Sequence, residues 1–231
     1  MTANPLISEG MLIMDNARFL VISSLIVNFV IFAVTVFSVA WCFTKKGREN
    51  ADVAGVKAFK FFTVDSNILA GLASLLAVVF QIGNVCSGRF VTTGALPEWL
   101  RSFKFVSVVS VMLTFLTVMA FLGPRMGYGK MFEGVSLFMH LTTPLMAFLS
   151  FLFLECGKRM EPPLFILGIV PMLIYGTVYI IMVLVTKKWQ DFYQFNVGGL
   201  WWVSVTAMIV ATAAIAFGTG FLANLISGSR V

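Results

Sequence analysis

Charge is scarce in this chain of 231 residues: Asp, Glu, Lys and Arg together make up 11%, and histidine occurs once. So few charges cannot cover a water-soluble domain. Although the formal net charge is +6, the basic residues sit mainly in loops and at segment ends, where they meet lipid headgroups, and no nucleic-acid partner is expected. One histidine and three cysteines, Cys42, Cys86 and Cys156, offer no metal-ligand spacing. The cysteines, odd in number and each near the end of an apolar run, read as apolar filler. Phosphate loops and dinucleotide fingerprints are also missing, so no cofactor is expected.

What the chain has instead is apolar surface: 59% of its residues are hydrophobic and its mean hydropathy is +0.97. A membrane span needs about 20 such residues in a row. Runs of that length recur six times, at approximately 19–43, 62–86, 102–123, 134–155, 163–186 and 200–226. Backbone polar groups in lipid must be satisfied within each segment, so every run is expected to be a helix. The fold class is an all-α polytopic bundle of six transmembrane helices, a single integral membrane domain over residues 1–231.

The first run begins at Phe19 and is too long for a signal-peptide core, so it reads as a retained helix. Polar breaks support the limits. Thr44-Lys45-Lys46-Gly47-Arg48-Glu49-Asn50 closes the first span, Gly123-Pro124-Arg125 the third, and Gly157-Lys158-Arg159 with Pro162-Pro163 parts the fourth from the fifth. Trp99, Trp189, Tyr193, Trp201 and Trp202 fall near span ends, where amphipathic rings favour the interface. The stretch from Trp189 to Asn196 is expected to lie along that surface.

With six spans, both termini share one side of the membrane. Nine of the 16 Lys and Arg residues fall on the side of the odd loops and seven on the other, a bias that places the termini outside. No internal repeat or heptad seam is evident. Gly71, Ser74 and Ala77 in the second span, and Ala214 and Gly218 in the sixth, suggest close helix contacts.

Chemistry points to His140, the only side chain whose ordinary pKa lies near neutrality, inside the fourth span. Six residues from Gly134, it sits about 9 Å into the helix. Pro144 removes the backbone donor to the His140 carbonyl and is expected to kink the helix there. At the head of the second span stands Phe61-Phe62-Thr63-Val64-Asp65-Ser66-Asn67, where Thr63, Ser66 and Asn67 share a face. If Ala54 to Phe62 already forms the first turns of that helix, Thr63 and His140 lie at similar depth. A hydroxyl and an imidazole that meet are the minimal pair for nucleophilic acyl transfer. Asp65 is a candidate to orient the imidazole, although it points about 200° round the helix from Thr63. Asn67 or Ser66 is a candidate oxyanion donor. The bland alternatives are a Thr63 hydroxyl bonded to its own helix, an Asp65 paired with Lys60 or Lys104, and a His140 that is merely a satisfied interhelical donor.

The motifs Phe-Phe-Thr-Val-Asp-Ser-Asn at 61–67 and His-Leu-Thr-Thr-Pro at 140–144, in a six-span chain, resemble the androgen-induced-protein family, which includes the androgen-dependent regulator of tissue factor pathway inhibitor and bacterial relatives. The resemblance implies an intramembrane threonine hydrolase of fatty-acid esters of hydroxy fatty acids, or of a related acyl ester drawn from membrane lipids. It maps the nucleophile onto Thr63 and the base onto His140, with Thr143 as a further polar neighbour, and implies a bacterial plasma membrane. One departure stands out: the animal proteins have a Trp-x-Tyr-Pro-like stretch before the last span, and this chain has Trp189-Gln190-Asp191-Phe192-Tyr193 without the proline.

Two other functions compete. A transporter would use His140, Asp65 and Asn28 to line a solute or proton path, but charged residues are nearly absent from the middle of the spans, where Asn28, Tyr175 and Tyr179 are the main polar groups. A non-catalytic scaffold would leave His140 a packing residue.

Overall fold

A computed structural model describes residues 5–47, 54–88 and 96–228. Arg48, Glu49 and Asn50 of the expected first break, and Arg89 and Arg230 of the charge count, lie outside the described residues. Six helices are long and apolar enough to cross a membrane: α1 (Pro5–Trp41, crossing from Asn16), α2 (Phe62–Cys86), α3 (Glu98–Met126), α4 (Val135–Glu155), α5 (Pro162–Val185) and α6 (Trp201–Gly228). Among the described residues there is no strand. The chain is a multi-pass all-α bundle, and each span boundary falls within four residues of its sequence expectation.

α3 is the most enclosed helix, with Leu100, Phe105, Val108, Val109 and Val111 fully buried at its heart. Phe105 packs on Phe151 of α4 and Phe165 of α5, with ring centroids 5.9 Å apart in each pair. Exposed Phe19, Phe29, Val79, Ile174 and Phe221 cover the outside, as a lipid-facing surface requires.

A heptad seam is present after all. On α1 and just beyond its end, Ala17, Val21, Ser24, Asn28, Ile31, Thr35, Ser38 and Cys42 are all buried, at alternating steps of three and four. Half of these residues are polar, so a search for apolar heptads passes over them. In lipid the inside of a bundle is where polar side chains find partners. At Gly71 of α2 the two backbones come close, for an added Cβ would stand 2.8 Å from Thr35 Cγ2. A Cβ added at Gly218 would meet nothing within 4 Å, contrary to the close contact expected there; the close approach on α6 is at Gly220, whose added Cβ would lie 2.3 Å from the Phe165 ring. Cys42 and Cys156 are buried, but Cys86 is exposed, so it fills no core.

Charge also enters the bundle where the sequence reading left it out. Lys104 of α3 and Glu155 of α4 are 1% and 0% exposed and form an ion pair of 3.5 Å. Asp65 therefore has no share in Lys104, and Lys60 instead lies over the rings of Phe61 and Phe192. With Arg101 and Lys104 both buried, two of the seven basic residues on the terminal side are not headgroup charges, and the bias that orients the chain widens to nine against five.

Candidate functional site

The segment before α2 is not its first turns. Gly55–Lys60 forms a separate 3₁₀ helix, and Phe61 between them is extended, with φ −102° and ψ 127°. α2 therefore starts at Phe62, and Thr63 sits at its second position, shallower than expected. The first N–H groups of a helix lack partners within it. That of Phe62 donates to the Tyr193 hydroxyl at 3.1 Å.

Ser66 and Asn67 share a face with Thr63, as their spacing predicts, but neither is a free donor. Ser66 Oγ donates to the Thr63 carbonyl at 3.1 Å and lies 2.9 Å from Thr114 Oγ1 of α3. Asn67 Nδ2 donates to the carbonyls of Thr63, at 2.7 Å, and of Met139, at 3.0 Å. Both amide protons are spent, which removes Asn67 as an oxyanion donor and leaves its buried Oδ1 unpaired. The amide clamps the turn bearing Thr63 to the turn bearing His140. Asp65 is half-buried and makes no ion pair among the described residues. Thr143 is buried within α4.

His140 lies in a π-helical turn, Phe138–Thr142, directly ahead of Pro144. The missing Pro144 N–H accounts for the widened turn, since the His140 carbonyl has no donor in α-helical register. The ring's Nδ1 stands 2.7 Å from the Met131 carbonyl. A carbonyl only accepts, so Nδ1 carries the proton and in the neutral ring Nε2 keeps its lone pair, the tautomer a general base requires. Among the described residues no hydrogen bond joins His140 to Thr63.

Thr63 instead faces a cavity of about 750 Å³ lined by α2, α3, α5, α6 and the segment after α5. Its wall is largely apolar, with Leu113, Met172 and Ile215 at the deep end. From Ser204 to Ile215 it spans eleven residue steps of α6, about 16 Å at the helical rise. Leu116, Ala207, Ala211 and Ala214 of this wall are exposed at mid-span on α3 and α6, so the cavity is open sideways between these helices rather than sealed within the bundle.

Its polar end was only partly foreseen. Three of the chain's four tyrosines, Tyr175, Tyr179 and Tyr193, meet there beside Thr63. The segment from Trp189 to Asn196, expected along the interface, brings Tyr193, Gln194 and Phe195 onto the cavity wall and covers its mouth. Asp191 organises the fold: Oδ1 accepts from the Tyr179 hydroxyl and the Phe195 N–H, both at 2.8 Å, and Oδ2 accepts from the Asn196 N–H at 2.8 Å. Phe192 then packs against Phe61, the rings tilted with centroids 4.6 Å apart, and Gln194 takes a left-handed turn, φ 53°. Tyr193 is thereby brought to the cavity wall beside Tyr175 and Thr63. Tyr175 gives its own proton to the Lys60 carbonyl, at 2.7 Å. Burial pushes the Tyr193 phenol up to about 12, so it stays protonated and able to donate. The sequence signal for this strap was the aromatic and amide cluster between two apolar runs, in the stretch where the family resemblance departs.

No family model, curated protein or solved structure matches the chain.

Proposed function

We propose that the chain is a membrane-embedded hydrolase of lipid esters, fatty-acid esters of hydroxy fatty acids or a related acyl ester, in a bacterial plasma membrane. The observation that carries this reading is the placing of Thr63 and three tyrosine hydroxyls at the mouth of an apolar cavity that opens sideways. An acyl chain enters from the bilayer, and its burial along α6 sets the ester carbonyl at the polar end. Thr63 Oγ attacks the carbonyl carbon while its proton passes to His140 Nε2, directly or through one water once the ester is seated. Hydroxyl attack leaves negative charge on the carbonyl oxygen. Tyr193, whose oxygen already accepts the Phe62 N–H, points its proton there, in the role first expected of Asn67 or Ser66. His140 returns the proton to the departing alcohol, and water then cleaves the Thr63 acyl ester by the same route.

The likeness of residues 61–67 and 140–144 to the androgen-induced-protein motifs supports the same pair. So do the His140 tautomer and the Asn67 clamp. The test is fluorophosphonate labelling and long-chain ester hydrolysis by the detergent-purified protein, beside Thr63→Ala and His140→Ala. Loss of both signals in both folded variants is expected. Labelling and turnover that survive in either one remove that residue from the chemistry.

A further inference from the structure

A second polar centre lies in the opposite leaflet from Thr63 and shares no residue with the cavity wall. Lys104 is six residues inside α3 from Glu98, about 9 Å along its axis, and Glu155 ends α4 on the same side. Their surroundings treat the two Glu155 oxygens unequally. Oε1 accepts three bonds, from Ser24 Oγ at 3.1 Å, Asn28 Nδ2 at 2.5 Å and Ser150 Oγ at 2.8 Å. Oε2, equally buried, accepts none; its neighbour is the Lys104 ammonium at 3.5 Å. Beside that contact the ammonium donates to Asn28 Oδ1 at 2.5 Å and to Ser74 Oγ at 3.2 Å.

We propose that this cluster is a proton-binding site within the membrane, with Glu155 Oε2 as the atom that takes the proton up. A proton arriving there forms one O–H bond and gives up the ion pair with Lys104, while Oε1 keeps its three donors and Lys104 keeps its two acceptors. The carboxylate becomes a carboxylic acid, the ammonium stays an ammonium, and the cluster passes from neutral to one positive charge. Asn28, bonded to both partners through opposite ends of its amide, holds the same framework in either state. A buried ion pair adds little stability over apolar packing of the same volume, and in lipid it is costly, so a cluster drawn from four helices argues for use.

The groups around Glu155 keep the assignment simple. Among the described residues, the side chains of α1 and α2 hydrogen-bonded into the cluster are Ser24, Asn28, Ser74 and Gln81, none of them titratable, and Gln81 joins through a 2.7 Å bond to Ser24. α3 contributes Lys104, with Arg101 one turn nearer the membrane surface on the Lys158 carbonyl at 2.8 Å. The next residue, Cys156, gives its thiol to the α6 side, 3.3 Å from the Ala223 carbonyl.

Infrared difference spectroscopy of the full chain in lipid, recorded on stepwise acidification, tests the site. A carboxylic-acid C=O band from a buried group is expected to grow, to shift in heavy water, to vanish in Glu155→Gln and to persist in Asp65→Asn. Should Glu155→Gln fail to fold, Glu155→Asp is expected to move the band instead. No such band in the wild type at any pH where it stays folded, or a band unaltered by both Glu155 variants, reduces the cluster to a fixed ion pair. The readout needs no ester hydrolysis, so it stands apart from the fate of Thr63.

Discussion

Tyr193 and Phe62 are 131 residues apart in sequence and joined by one hydrogen bond, 3.1 Å from the Phe62 N–H to the phenol oxygen. That bond fixes the phenol at the first turn of α2, beside Thr63. It turns a connecting segment into the roof of the cavity and does not use the phenol's own proton.

Removing that proton isolates the role. Tyr193→Phe keeps the ring and its packing, and kcat for long-chain ester hydrolysis is expected to fall by about 10²-fold, with KM changed little, as for loss of one oxyanion donor. A KM rise with kcat intact would instead make Tyr193 a cavity-shaping residue.

The same phenol sets an alkaline limit. Its folded value, up to about 12, exceeds the ordinary value of about 10. Above that ordinary value the unfolded chain loses the proton first and the folded state holds more protons, so stability falls as pH rises from about 10 towards 12. Thermal unfolding over that interval should show a steeper decline in the wild type than in Tyr193→Phe; parallel curves would contradict the buried phenol.

Asp191 should matter to the strap rather than to the chemistry. Asp191→Ala strands three donors and is expected to cost about 1–3 kcal/mol. Limited proteolysis should then cut between Trp189 and Asn196 faster than in the wild type. An unchanged cutting rate would mean that aromatic packing alone holds the strap.

Two glycines on α6 separate packing from propensity. Gly220→Ala drives a methyl into the Phe165 ring and is expected to destabilise by about 1–3 kcal/mol, whereas Gly218→Ala meets open space and should be neutral or gain up to about 1 kcal/mol in helix propensity. Unfolding midpoints of the two variants in one detergent make the comparison.

Cys86 reports orientation, being exposed at the end of α2 on the side of the termini, while Cys42 and Cys156 are buried. With the termini outside, a membrane-impermeant maleimide should label Cys86 in intact cells and lose the label in Cys86→Ser. Labelling that requires permeabilisation reverses the orientation.

The spans were legible because a run of apolar residues obeys a length rule set by the bilayer alone. What lay between helices was not. The α1 seam escaped because Ser24, Asn28, Thr35 and Ser38 occupy positions that a water-soluble coil would fill with apolar side chains. Lys104 read as a lysine near a span end, and only the packing of α1, α2 and α4 around α3 reveals Glu155 as its partner. Thr63 and His140 were visible as types at a depth, yet the extended Phe61 shifted the start of α2, and the carbonyl that fixes the imidazole, Met131, lies in the loop ahead of α4. Tyr193 could be placed near a membrane surface but not over a cavity, since that depends on the fold of a segment with no helical period.

The sideways opening of the cavity has a kinetic meaning. Because Leu116, Ala207, Ala211 and Ala214 of its wall are exposed at mid-span, a lipid ester taken up as proposed arrives by diffusion in two dimensions, and the quantity that sets occupancy is its mole fraction among the surrounding amphiphiles rather than its concentration in the buffer. At fixed ester and protein, added detergent or inert lipid therefore acts as a diluent, and half-saturation stays constant only when expressed per unit of surface.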